Sequence, residues 1–99
     1  MPTTRFEWDP GKDKENQRKH GVAFDEAKTV FVDPFAETFD DPDHSADERR
    51  FITIGMSTQQ RLLFVAHVDR GIDRIRIISA RVATRGETHA HQERSAKQE

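Results

Sequence analysis

From Arg50 to Arg81 the chain reads as three consecutive strands joined by short turns, and such a run leaves few architectures open. Arg50, Ile52, Ile54 and Met56 alternate with Phe51, Thr53 and Gly55, the period-two pattern of a half-buried strand. Ser57 to Gln60 reads as a hairpin turn, Leu62 to Val68 as a nearly continuous apolar central strand, and Arg74 to Arg81 as the last strand. Asp69 to Ile72, with Gly71, supplies the turn between the last two. Strands joined by so few residues pair antiparallel, because a parallel pair needs a crossover of a dozen or more residues. Only 33% of the 99 residues are hydrophobic, so the core must come from a few strongly patterned segments such as these.

Two helices precede the meander. Asp9-Pro10 is a helix start, with Asp as N-cap and Pro in the first turn, and Gly21 is a natural left-handed stop after His20. This helix carries almost nothing apolar, so burial of an apolar stripe does not explain it. Asn16 and His20 are the polar groups expected to reach inward, as capping or core hydrogen-bonding groups. Phe24, Ala27, Val30 and Phe31 recur at helical spacing and predict a second helix over Asp25 to Val32, ended by Asp33-Pro34. Phe35 to Phe39 is a short candidate strand, and Asp40 to Glu48 a polar loop. From Ala83 the tail predicts a short helix, frayed over 92–99. The expected fold is therefore one α+β domain over residues 1–99: two N-terminal helices, an antiparallel sheet of about four strands, and a short C-terminal helix.

Charge is distributed unevenly. The net charge is −2, which argues against a general nucleic-acid binder. Residues 33–48, however, hold seven acidic groups and no Lys or Arg. Residues 49–85 hold eight arginines against Asp69 and Asp73, a local balance of +6. Arg offers a planar fork suited to phosphate oxygens. There is no cysteine, hence no disulfide framework and no thiolate metal site. The opening MPTTRFEWD has no apolar signal-like core, and no apolar run is long enough to span a membrane. A soluble, cytoplasmic protein is the expectation.

The joints of this pattern carry a family likeness. FEWDPGKDKENQRKHGVAFDEA resembles the opening of BrnT toxins through Trp8, Asp9, Lys12, Asn16, Lys19, His20, Gly21, Phe24 and Glu26-Ala27. His44, Glu48 and Arg50 in DHSADERRFITIG resemble a second block. RIRIISARVATRGE resembles the third, over Ile75 to Arg81 with Ala83 and Glu87. The likeness covers about residues 6–87. One departure is the tail, where Gly86 weakens the helix and His91 stands where relatives carry an aromatic. The resemblance implies a RelE-like fold and a metal-independent endoribonuclease that inhibits translation or growth as the toxin of a type II toxin–antitoxin system. It further implies a dimeric ribbon-helix-helix antitoxin as partner, with DNA contacted only through that antitoxin, and neither cofactor nor membrane.

Metal-free RNA cleavage uses the 2′-OH of the substrate as nucleophile. It needs a base for that hydroxyl, an acid for the departing 5′-oxygen, and fixed positive charge about the phosphate. Among the residues, Arg61, Arg76 and Arg81 are candidates for phosphate binding and transition-state charge, and His44 and Glu48 for proton transfer. Arg49, Arg50, Arg74 and Arg85 are candidate RNA contacts. Strict strand alternation would put Arg74 and Arg76 on one face and Ser79 and Arg81 on the other, unless a bulge redirects one. A metal centre is the rival: Asp40-Asp41-Pro42-Asp43-His44 clusters oxygen ligands with an imidazole. As a calcium loop it lacks the required Gly and the final Glu, and the strands contribute almost no carboxylates, so no metal is expected. The alternative without turnover is a binding module, an inactive toxin fold whose Arg-rich face receives the antitoxin and co-represses its operon.

Overall fold

The computed structural model describes residues 4–41 and 49–97. Among them, β1 (Arg5–Glu7) is followed by α1 (Pro10–His20) and α2 (Phe24–Ala27), and a 3₁₀ segment continues α2 over Lys28–Val32. Then come β2 (Glu37–Asp40), β3 (Phe51–Met56), β4 (Leu62–Asp69), β5 (Arg74–Val82) and α3 (Arg85–Lys97). The strands form one sheet in the order β1-β5-β4-β3-β2. β2 to β5 are the antiparallel meander the pattern predicts, but β1 joins parallel to β5, pairing Phe6 with Ile75. An all-antiparallel sheet of about four strands is therefore corrected to a mixed sheet of five. Three residues are too few to display a strand period, and β1 is held only by a partner far along the chain. The C-terminal helix also extends through 92–97, where a frayed tail is expected from sequence.

The helix limits follow local chemistry. The Asp9 carboxylate accepts the Lys12 N–H at 3.0 Å, and Gly21 closes α1 at φ 67°, donating to the Gln17 carbonyl. What docks this polar helix is hydrogen bonding. Asn16, 5% exposed, donates to the Val22 and Ala80 carbonyls at 2.8 Å each and accepts the Ala80 N–H at 3.0 Å. The N–H and C=O of one strand residue point the same way, so Asn16 fills the edge of β5 beyond the three residues that β1 covers. The Asp13 carboxylate adds a bond from the Phe24 N–H at 3.0 Å. Below these contacts Val22, Phe24, Ala27 and Val30 pack on Leu63, Val65, Ile77 and Ala80, all buried. This is the core, and it occupies one face of the sheet.

The opposite face is set by a bulge. Ala66 pairs with Ser79 but His67 pairs with Ile77, so Ile78 is an extra residue in β5. Counting from β4, which has no extra residue, Phe64, Ala66 and Val68 share a face with Arg81, Ser79 and Arg76. The bulge thus brings Arg76 and Arg81 to one face, against the strict alternation. α3 is tied to this face through three side chains. Glu87 pairs with Arg81, and His91 and Arg94 both reach Glu37 of β2, at 2.8 and 3.0 Å. His91, in place of the aromatic expected from the family likeness, is 6% exposed.

Candidate active site

On the non-core face, between the end of α1 and β5, lies a cleft of about 210 Å³. Its apolar floor comes from Ile52, Phe64 and Ala66 of β3 and β4. His20, Asp41, Ser79 and Arg81 stand around it. His20 is carried there because Asn16, one turn earlier on α1, is anchored to Ala80 on the adjoining edge of β5. Ser79 and Arg81 reach the same cleft because they are two apart on one strand.

Arg81 is the most constrained cation of the cleft. Its Nη1 and Nη2 donate to the two oxygens of Glu87 at 2.8 and 2.9 Å, and its guanidinium lies 4.4 Å from the centroid of the Phe64 ring. Glu87 is itself fixed by a reciprocal capping box with Thr84, accepting the Thr84 N–H at 2.8 Å while its own N–H reaches Thr84 Oγ1 at 3.2 Å. The Arg81 guanidinium, helped by the Thr84 N–H, pushes the Glu87 carboxyl down to about 2. The fork is held over the Phe64 ring, with N–H donors to spare beyond the Glu87 pair.

The other residues singled out in the sequence are dispersed. Arg61 does not line the cleft. Its Nε donates to Glu26 at 2.9 Å, Nη2 pairs with the same carboxylate, and Nη2 also reaches the Gly21 carbonyl at 3.0 Å. Glu26, its side chain 3% exposed, takes a further bond from Ser57 Oγ at 2.7 Å. Arg61 above all, with Ser57, holds that carboxyl below its ordinary range despite burial. Arg76 and Arg74 share Glu7 of β1 at 3.2 and 3.5 Å. Arg76 is on the face of Arg81 but roughly 13 Å along the strand. Arg49 pairs with Asp40 at 3.0 Å and lies 5.1 Å over the Phe51 ring. Arg50 is half-buried, with its backbone carbonyl accepting from Asp41 N–H at 2.9 Å, and Arg85 is exposed at the start of α3. His44 and Glu48 lie outside the described residues. Sequence reasoning gave His20 a capping or core role; it stands exposed at the cleft instead. Its signal was its spacing, four residues after the anchoring Asn16. Phe64 and Asp41 had no comparable signal. Among the described residues no three His, Asp or Glu side chains gather as a metal site, and no helix is long and apolar enough to cross a membrane.

A second histidine is built into the core. His67, 2% exposed, has Nδ1 3.0 Å from Asp69 Oδ1 and Nε2 2.7 Å from Thr53 Oγ1, which is 2.8 Å from Thr38 Oγ1. Burial pushes its pKa down, with Asp69 opposing.

The family model described as the ribonuclease toxin BrnT of type II toxin–antitoxin systems matches residues 8–87. Among solved structures, the chain is similar to the ribonuclease toxin BrnT of Brucella abortus, with 26% identity and a TM-score of 0.64. That alignment covers 84% of this chain and 100% of the Brucella chain. No curated protein sequence matches. The matched span runs from Trp8, which packs on Phe24 of the core, to Glu87, which holds Arg81 in the cleft. The chain belongs to the BrnT family of ribonuclease toxins of type II toxin–antitoxin systems.

Proposed function

We propose that this chain is a metal-independent endoribonuclease whose reaction takes place in the cleft of His20, Ser79 and Arg81. The observation that carries this is the grouping of an imidazole, a hydroxyl and a fixed guanidinium over an aromatic floor. In the reaction the substrate's 2′-oxygen attacks the adjacent phosphorus as its proton passes to a base. The bond to the 5′-oxygen breaks as that oxygen takes a proton, leaving a 2′,3′-cyclic phosphate and a 5′-OH. Arg81 and the Ser79 hydroxyl stabilise the charge that builds on the phosphoryl oxygens. A nucleobase rests on the apolar floor of Ile52, Phe64 and Ala66, beside the Arg81 guanidinium that covers the Phe64 ring. His20 transfers a proton, its ring offering one nitrogen that donates and one that accepts. His44 and Glu48, which follow the cleft residue Asp41 in the chain, are retained as partners in proton transfer. Arg76 serves a neighbouring phosphate. Arg61 is assigned to the fold rather than to RNA.

A type II family implies a cognate antitoxin. In this reading it is a ribbon-helix-helix dimer that covers the cleft and brings the pair to its own operator, with the RNA target in the cytoplasm. The test is RNA cleavage by purified toxin in excess EDTA, with end-group analysis. Cyclic phosphate ends are expected, with His20→Ala lowering kcat by about 10²–10⁴ and Arg81→Ala abolishing cleavage while circular dichroism stays unchanged. Full activity in both variants, or activity lost to EDTA, overturns the scheme. A second reading, an inactive module, draws on one observation: Arg61, Arg76 and Arg81 are each already paired with a carboxylate of the chain. Expression without antitoxin separates the two, since only the enzyme gives growth arrest with new RNA 5′ ends.

A further inference from the structure

The first cleft does not end at His20. On the other side of His20 and Ser79 lies a groove of about 260 Å³ between α1 and the β5 edge, and the same two residues line both. Its α1 wall is a stripe at Lys12, Glu15, Asn16, Lys19 and His20. This is the spacing at which a surface helix normally carries its apolar, core-facing residues. Here the stripe is polar throughout, and only Asn16 is spent on docking the helix.

We infer that this groove is an RNA backbone subsite, in which Lys12 and Lys19 bind the phosphates next to the one held at His20 and Ser79. The inference rests on the ribonuclease reading above and extends it. Three features carry it. The Lys12 ammonium has no ion pair among the described residues. Lys19 has only Glu15 at 3.6 Å, an exposed pair, and the Glu15 carboxylate is already taken by both Nε and Nη2 of Arg18. An exposed pair of this kind is worth about 1 kcal/mol or less and yields readily to a phosphate. Continuity is the third: a strand lying across His20 and Ser79 passes from the apolar floor of Ile52, Phe64 and Ala66, suited to a base, to two ammonium groups, suited to the backbone. Lysine is the apt residue because a point charge on a flexible stem follows a backbone without selecting sequence.

The test measures affinity for a single-stranded oligoribonucleotide made uncleavable by 2′-O-methylation, across a range of salt concentrations. Wild type is compared with Lys12→Ala/Lys19→Ala and with Lys14→Ala, a lysine of the same helix that lines neither cleft. The double variant is expected to bind at least tenfold more weakly at low salt. Its slope of log affinity against log salt should be shallower by about 1.4, two phosphates at about 0.7 each. An unchanged slope, or an equal loss per lysine in Lys14→Ala, overturns the inference. Cleavage of the unmodified oligomer by wild type is followed in parallel. Lysine-dependent binding without cleavage upholds the groove and removes the ribonuclease reading. Cleavage with lysine-independent binding does the reverse.

Discussion

Asn16 carries the attachment of α1, so its replacement measures how much this fold depends on one amide. The side chain makes three hydrogen bonds to buried backbone: to the Val22 and Ala80 carbonyls at 2.8 Å and from the Ala80 N–H at 3.0 Å. In Asn16→Ala those three groups lose their partner. An unsatisfied buried group costs about 1–3 kcal/mol; Ala80 and Asn16 border the two clefts, from which water can reach the freed groups, so the lower end applies and the sum is about 3 kcal/mol. Domains of this size are stable by about 5–15 kcal/mol, so the loss is a substantial fraction, visible as a fall in Tm of roughly 12–24 °C. Asn16→Asp is the sharper variant, because it keeps the shape and turns the donor into an acceptor facing two carbonyl oxygens. Burial and those oxygens raise the new carboxyl's pKa in the folded state. Its folded form therefore binds the proton more tightly, and the defect relative to wild type is smallest below about pH 4 and grows as pH rises through the raised value. Urea unfolding of the three proteins across that range, at constant m-value, gives the comparison. A loss below about 1 kcal/mol in Asn16→Ala, or an Asp variant matching wild type at neutral pH, would refute the account.

Three further outcomes follow from contacts elsewhere. Arg61→Ala leaves Glu26 buried without its cation; breaking a buried pair costs about 3–5 kcal/mol. Arg61 is 36% exposed and Ser57 remains bonded, so about 2 kcal/mol is expected, read as a lower urea midpoint rather than a lower kcat. Gly55→Ala sets a new Cβ 3.0 Å from both the Val30 Cβ and the Val30 carbonyl oxygen. That is backbone with little room to give, so overpacking should cost about 1–3 kcal/mol in thermal unfolding. His67 has its pKa depressed by burial, so the unfolded chain binds the proton more readily. Stability is full above the unfolded value near 6.5 and falls as pH drops below it toward the depressed folded value. The fall should be reduced in His67→Gln, and an unchanged pH profile in that variant counts against the assignment.

The cleft and the helix that forms one side of it were unequally legible in the sequence. Asp9, Pro10 and Gly21 delimit α1 by chemistry acting within a few residues, and they delimit it in the structure as they do in the string. The periodicity of Phe24, Ala27, Val30 and Phe31 is also local, although the segment expected as one helix divides into α2 and a 3₁₀ stretch. The phosphate-clamp candidates fared otherwise. Arg61 is compatible with a surface clamp until Glu26, 35 residues away, is brought against it. His20 is one polar residue on a polar helix until Asn16 finds Ala80, 64 residues away.

Length, charge pattern, the two ends of α1, the antiparallel meander and the family were thus determined by the sequence itself, because caps, turns and strand periods act over a few neighbouring residues. The tertiary structure alone decided the parallel β1, the Ile78 bulge that turns Arg76 and Arg81 to one face, and the carboxylates that Arg61, Arg74 and Arg76 meet. It also decided that His20 shares a cleft with Ser79 and Arg81. These are pairings between distant segments, and a single residue of register reverses the face on which every side chain emerges. Such a choice is made by packing the whole sheet, and no short window of the chain contains it.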